Sequence, residues 1–249
     1  MWERLEVDEM PAAEESVLLV SLSTMAPQYT GLYSHARELS KFLMLKMQFK
    51  RFATLYSSAL PPAVAIDADG VARLNSNSFY SFAGRKRIIM VAGDGSPFDY
   101  QQEYAHSILS FARQFGVKEL VSIGARWSES PVPAGSILKA VGFASDAAGI
   151  TELEALGVTI TKSEPGPFFP NLLVGMAEEY GMRGFKLGVD HGEPSPHPRS
   201  LITIIGVLSE MLGLHLDLKE LVARGKEMEG EGPQEGLPEV RRERGGIYG

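Results

Sequence analysis

Three short segments hold the residues best suited to chemistry. Asp190-His191-Gly192-Glu193, with His197 close behind, offers four metal-ligating side chains at what reads as the carboxyl end of a strand, where α/β folds often place their sites. Prolines at 194, 196 and 198 impose an extended path there, so the same residues also read as a rigid connection whose imidazoles need not converge on a metal. Gly93-Asp94-Gly95-Ser96, between a strand and a helix, could turn backbone N–H groups toward an anion. It lacks the full P-loop and dinucleotide fingerprints, and a tight turn accounts for its glycines as well. The third segment is the end of the chain, Ile247-Tyr248-Gly249, where an apolar side chain, a phenol ring and a free carboxylate sit together.

That terminal set has the chemistry of a plug. Ile247 gains roughly 1.5–3 kcal/mol if its side chain is fully buried. Tyr248 adds a large ring with one polar handle, and the α-carboxylate can accept a charge-assisted hydrogen bond from a partner Lys or Arg. The plain alternative is a frayed terminus with an incidental tyrosine. His35 and His106 fall on predicted helices and His215 stands beside Asp217 at a helix boundary, which fits surface or capping roles. No Ser, His and acid set has the spacing of a nucleophile elbow. The expectation is therefore a non-enzyme with no catalytic residue, no metal and no cofactor, whose site residues are Ile247, Tyr248 and Gly249.

From Gly225 to Gly246 the sequence has no apolar period and is rich in Gly, Glu, Pro and Arg, so it cannot offset the entropy of ordering itself. A flexible chain of that length reaches about 25 Å on average. Arg241, Arg242 and Arg244 could steer the tip to an acidic surface or simply keep the tail solvated. Net charge is −7, which argues against a general nucleic-acid binder. Cysteine is absent, excluding disulfides and Cys-ligated zinc and fitting a reducing compartment. With no membrane span and an acidic start unlike a signal peptide, the sequence predicts a soluble, cytoplasmic protein without membrane or nucleic-acid partners.

The elements that must carry these segments alternate. Apolar runs at 17–22, 49–56, 88–91, 120–123, 137–143, 158–161 and 185–189 read as strands. Helical spacing links Leu32 to Met47, Tyr104 to Phe115, Leu173 to Tyr180 and the nearly all-apolar stretch from Leu201 to Leu214, with a short helix over 151–156. Residues 63–66 and 71–74 flank Asp67-Ala68-Asp69-Gly70, a turn signal for a small hairpin. Asp217 with Glu220 resembles a cap for a last helix. The pattern predicts an α/β fold: a mostly parallel sheet with helices on both faces, a hairpin insertion and a disordered C-terminal tail. It divides into an acidic segment 1–15, one domain 16–225 and a flexible tail 226–249.

Several of these stretches resemble the proteasome assembly chaperone 2 family, especially its archaeal members. The resemblance rests on Val91 to Pro97, Tyr104, Ile108 to Gly124, Asn171-Leu172-Leu173, Gly181 to Gly188, the Pro-rich loop, the apolar helix and Leu216-Asp217-Leu218 with Leu221. Pro27 with Gly31-Leu32 also fits, whereas Ser23-Thr24-Met25-Ala26 replaces a more glycine-rich loop. It covers roughly residues 16 to 225. It implies a phosphorylase-like three-layer sandwich, a homo-oligomer such as a tetramer or pentamer, and binding to the proteasome core particle. In that context Ile247-Tyr248-Gly249 looks like the hydrophobic-Tyr-any motif by which activators enter pockets between α-ring subunits. An assembly chaperone-like role or ATP-independent activation of the proteasome follows. The sequence leaves open an enzyme acting on a nucleoside or other small ligand, and an oligomeric scaffold for a different adapter protein.

Overall fold

The computed structural model of the protein describes residues 1–22, 35–66, 68–93, 95–124, 126–127, 138–162, 169–191 and 198–230. In chain order these form β1 (Glu3–Val7), β2 (Ser16–Ser21), α1 (His35–Lys46), β3 (Lys50–Ser57), β4 (Val64–Ile66), β5 (Ala72–Leu74), β6 (Ser76–Ala83) and β7 (Arg87–Gly93). There follow α2 (Gln101–Arg113), β8 (Val117–Ile123), β9 (Arg126–Trp127), β10 (Ala140–Ala144), α3 (Ala147–Ala155), β11 (Thr159–Ile160) and α4 (Phe169–Met176). A 3-10 turn (Ala177–Tyr180), β12 (Arg183–His191), α5 (Pro198–Leu212) and α6 (Lys219–Gly230) complete them.

The main sheet runs β1-β3-β6-β7-β2-β8-β12-β10-β11, with β9 pairing β12, while β4 and β5 make a separate hairpin. β2 is buried at every position, which its Val17-Leu18-Leu19-Val20 run dictates. Alternation splits that run: Val17 and Leu19 join α1 and α5 in one core, Leu18 and Val20 join α2 and α4 in the other. β7 divides likewise, Ile88 and Met90 to the first and Ile89 and Val91 to the second. Two cores on one sheet make the three-layer sandwich that the sequence implies. No described helix is long and apolar enough to cross a membrane.

The sheet is parallel through its centre, β7-β2-β8-β12, and antiparallel from β1 to β7 and between β12 and β10. The reason lies in the connections. Parallel neighbours need a long crossover, and no helix separates β3, β6 and β7, which are joined by the β4–β5 hairpin and a short turn. Residues 3–7, read from sequence as part of an acidic segment, are the edge strand, because Leu5 and Val7 alternate with Arg4 and Glu6. β6 escapes an apolar-run search through its serines. Its Ser78 is nonetheless buried, its hydroxyl 3.1 Å from that of Thr54. α3 begins earlier than expected because Asp146 caps it, accepting from the Gly149 N–H at 2.6 Å. α6 continues to Gly230, beyond the expected domain end near 225.

Candidate functional site

The carboxyl ends of the parallel strands carry two of the three segments singled out from sequence. Gly93 closes β7 where a Cβ would stand 2.4 Å from the Ser76 carbonyl oxygen and 2.5 Å from Asn77 Oδ1, so only glycine fits. Asn77 is fully buried, and its Nδ2 donates to the Gly95 carbonyl and to the Tyr104 hydroxyl, both at 2.8 Å. Its Oδ1 accepts from the Gly95 N–H at 3.4 Å. An N–H that an anion would need is thus turned inward. α2 starts only at Gln101, after Tyr100 in a left-handed conformation (φ 50°), so the glycine turn and the helix N-terminus are separate. Asp94 lies outside the described residues. Among the described groups, the geometry is that of a turn tied to Asn77. Burial pushes the Tyr104 phenol well above its ordinary range, and it stays neutral as the network's acceptor.

Further along the sheet, on β12, lies a residue that sequence reasoning passed over. Lys186 projects from β12 among Gly124, Gly142 and Gly188, its Nζ donating to the Gly124 carbonyl at 2.9 Å and to that of Leu187 at 3.3 Å. Glycine is required around it: a Cβ at Gly188 would lie 2.0 Å from the Gly124 carbonyl oxygen, and one at Gly142 would lie 2.2 Å from the Lys186 carbonyl oxygen. Desolvation of the amine lowers its pKa from 10.5 to about 7, although the residue as a whole is only half-buried. Its register partner on β8 is Ser122, fully buried, with a hydroxyl that has no hydrogen-bond partner among the described residues. The signal available in the sequence was a lysine inside an apolar strand between glycines, Gly184-Phe185-Lys186-Leu187-Gly188. Both amine bonds go to main-chain carbonyls, so Lys186 ties β12 to the residue that follows β8.

The metal-ligand reading gains no cluster. Asp190 and His191 end β12, paired along the backbone with Arg126 and Trp127 of β9, while Glu193 and His197 lie outside the described residues. Among the described residues no group of three or more His, Asp or Glu is placed to hold a metal. His106 Nδ1 lies 2.6 Å from the Tyr180 hydroxyl and ties α2 to the 3-10 turn. His35 is buried at the start of α1, and His215 is exposed between α5 and α6.

Ile247, Tyr248 and Gly249, with Arg241, Arg242 and Arg244, lie outside the described residues, but the base of that segment does not. α6 packs on α5 through buried Leu221. Lys46 Nζ holds Glu220 Oε2 at 2.9 Å, which anchors α6 to α1 and, by hydrogen bond and charge, keeps the Glu220 carboxyl below its usual range. The expected cap is half realised: Asp217 Oδ1 accepts from the Lys219 N–H at 2.9 Å, while Glu220 turns to Lys46. The last described residue of the chain, Gly230, ends an anchored helix.

Known structures share this architecture. Pyrococcus furiosus PbaB, an archaeal proteasome activator, has a TM-score of 0.77 at 20% identity, over 92% of this chain and 96% of that one. Pyrococcus furiosus PbaA, an archaeal homolog of proteasome-assembly chaperone, has a TM-score of 0.69 at 21% identity, over 92% and 93%. A Mycobacterium tuberculosis proteasome-assembly chaperone homologue has a TM-score of 0.71 at 15% identity, over 89% and 97%. At such identities these likenesses establish the fold. No curated protein matches the chain in sequence. The model of the PAC2 family, however, matches residues 36–233, from the first turn of α1 to just past α6, and on that match the protein belongs to the PAC2 family.

Proposed function

We propose that this protein is a non-enzymatic, proteasome assembly chaperone-like factor or ATP-independent proteasome activator that docks its C-terminus between α subunits of the core particle. The observation that carries the reading is the terminal Ile247-Tyr248-Gly249 on a chain of the PAC2 family. PbaB is a proteasome activator and PbaA a homolog of the assembly chaperone, so both halves of the proposal have a counterpart with this fold. Residues 231–249 follow the anchored α6. Fully extended, a segment of that length spans at most about 65 Å, which allows the tip to reach a pocket well away from the sandwich. There Ile247 and the Tyr248 ring are buried, and a pocket lysine meets the Gly249 carboxylate. Several such ends on one homo-oligomer gain avidity of about 10²–10⁴ when the connecting segments span the pocket spacing.

The test is binding to a purified archaeal core particle by light scattering, comparing the full chain, a chain ending at Gly246 and Tyr248→Ala. Binding and any stimulated peptide hydrolysis should disappear in both altered chains. Unchanged stimulation by Tyr248→Ala would overturn the docking mechanism.

A further inference from the structure

We infer that β1 is a self-association edge, on which a second copy of this chain adds its own β1 in antiparallel register centred on Leu5. β1 ends the sheet, and no described strand lies beyond it. Its inner side is fixed by the ladder with β3: the Ser58 N–H donates to the Trp2 carbonyl and the Asp8 N–H to that of Phe52. Antiparallel ladders alternate, so the even positions of β1 face β3 and the N–H and C=O groups of Glu3, Leu5 and Val7 point outward. Such an edge is a template for another strand, and proteins ordinarily blunt it with charged side chains, Lys above all, with Pro or with a bulge. Glu3–Val7 has no Lys, Pro or bulge, its charges at Glu3, Arg4 and Glu6 are of both signs, and Leu5 and Val7 remain 40% and 43% exposed.

The charges on this strand choose the occupant. Pairing two copies about Leu5 sets Leu5 against Leu5 of the second copy and Glu3 against Val7 in both directions, each an outward-facing position that can exchange backbone hydrogen bonds. Arg4 then stands opposite Glu6 of the second copy and Glu6 opposite its Arg4, at the closer, non-hydrogen-bonded spacing where side-chain pairing is strongest. Slipping the register by one step in either direction brings Arg4 against Arg4, or Glu6 against Glu6, at the centre. Within one chain these two residues already attract, Arg4 to Glu6 at 3.2 Å, with Arg4 also 4.5 Å above the Tyr56 ring. In the paired edge they extend into a row of alternating charge. The edge is therefore complementary to itself in one register, and the partner it fits is its own copy about a twofold axis.

The inference rests on the homo-oligomer of the proposed function but not on docking to the core particle, and it is tested on the protein alone. Sedimentation of the full chain over a range of concentrations would be compared with Arg4→Glu, Glu6→Arg, the double variant and an equimolar mixture of the two single variants. Each single variant places two like-charged pairs in the contact and should weaken association about tenfold or more. The double variant restores opposite charges and should associate as the parent does. The mixture should form a heterodimer, since each Glu of one chain then faces an Arg of the other. Leu5→Pro supplies a second probe: it removes an outward N–H that the ladder with β3 does not use, and should abolish pairing while circular dichroism shows the fold retained. A monomeric parent, single variants that associate as the parent does, or a mixture that stays apart would each overturn the inference.

Discussion

The two halves of the sheet were built by different rules. In the parallel centre, β7-β2-β8-β12 lie between two helical layers, and β2 and β7 are unbroken apolar runs. In the antiparallel flank, β1, β3 and β6 mix hydroxyls, amides and charges with single large side chains such as Phe52, Leu55 and Phe79. The flank still has a dense apolar face, where Phe52, Phe79, Phe111 and Phe115 meet edge to face, tilted or stacked at ring separations of 4.8–6.1 Å. Its other face mixes the buried hydroxyls of Thr54 and Ser78 with half-buried Tyr80 and Phe82, which pack against the first core. Full burial on both sides makes the centre a scaffold, whereas the flank is only partly covered on its second face and leaves β1 exposed at the edge, where it can carry contacts.

The sharpest way to break this comparison is to remove the same atoms from each half. Leu18, fully buried on β2, should cost about 2–5 kcal/mol as Leu18→Ala in urea unfolding, because a cavity remains between sheet and α2. Leu5→Ala at the 40%-exposed edge should cost less than about 1 kcal/mol at concentrations low enough to keep the chain monomeric. Equal losses would mean that the flank is packed like the centre.

Lys186 sharpens the contrast from the other side, as the titrating group set into the end of the parallel centre. Its folded pKa is about 7 and its ordinary value 10.5, so between those pH values the unfolded chain holds the proton and the folded chain does not. Stability should then rise with pH from about 7 to 10 and level off on either side of that window. Lys186→Met removes the group and should flatten that stretch of the curve, as read by thermal unfolding across pH. A slope unchanged in the variant would assign the titration elsewhere.

How much of this was legible follows the same division. The central strands, the β4–β5 hairpin and the helices of both layers were readable, because two-sided burial forces apolar runs and regular helical spacing. β1 and β6 were not, since an exposed edge strand and a buried strand rich in polar residues, such as Ser76-Asn77-Ser78-Phe79, show their pattern only once their neighbours are known. The same limit hid Asn77, whose amide ties the Gly95 turn to Tyr104, and Lys186, whose meaning depends on glycines from three strands. The terminal tripeptide stands apart from this division: its chemistry is read from the sequence alone, and it lies outside the described residues.

The smallest effect tests whether the hydroxyl pair on the second face of the flank is specified or merely tolerated. Thr54 and Ser78 are register partners on β3 and β6, both buried, with hydroxyls 3.1 Å apart. Thr54→Val keeps the shape and deletes one partner, leaving the Ser78 hydroxyl buried without it, a loss of about 1–3 kcal/mol. Ser78→Ala should do the same to Thr54. The double variant removes both polar groups, so its cost should fall well below the sum and approach neutrality, giving a coupling of about 0.5–1.5 kcal/mol in a double-mutant cycle. Additive losses would show that each hydroxyl finds water independently, and that this face is already open to solvent. Strong coupling would show a dry seam between β3 and β6, and with it a flank rigid enough to hold the β1 edge in place for a second copy.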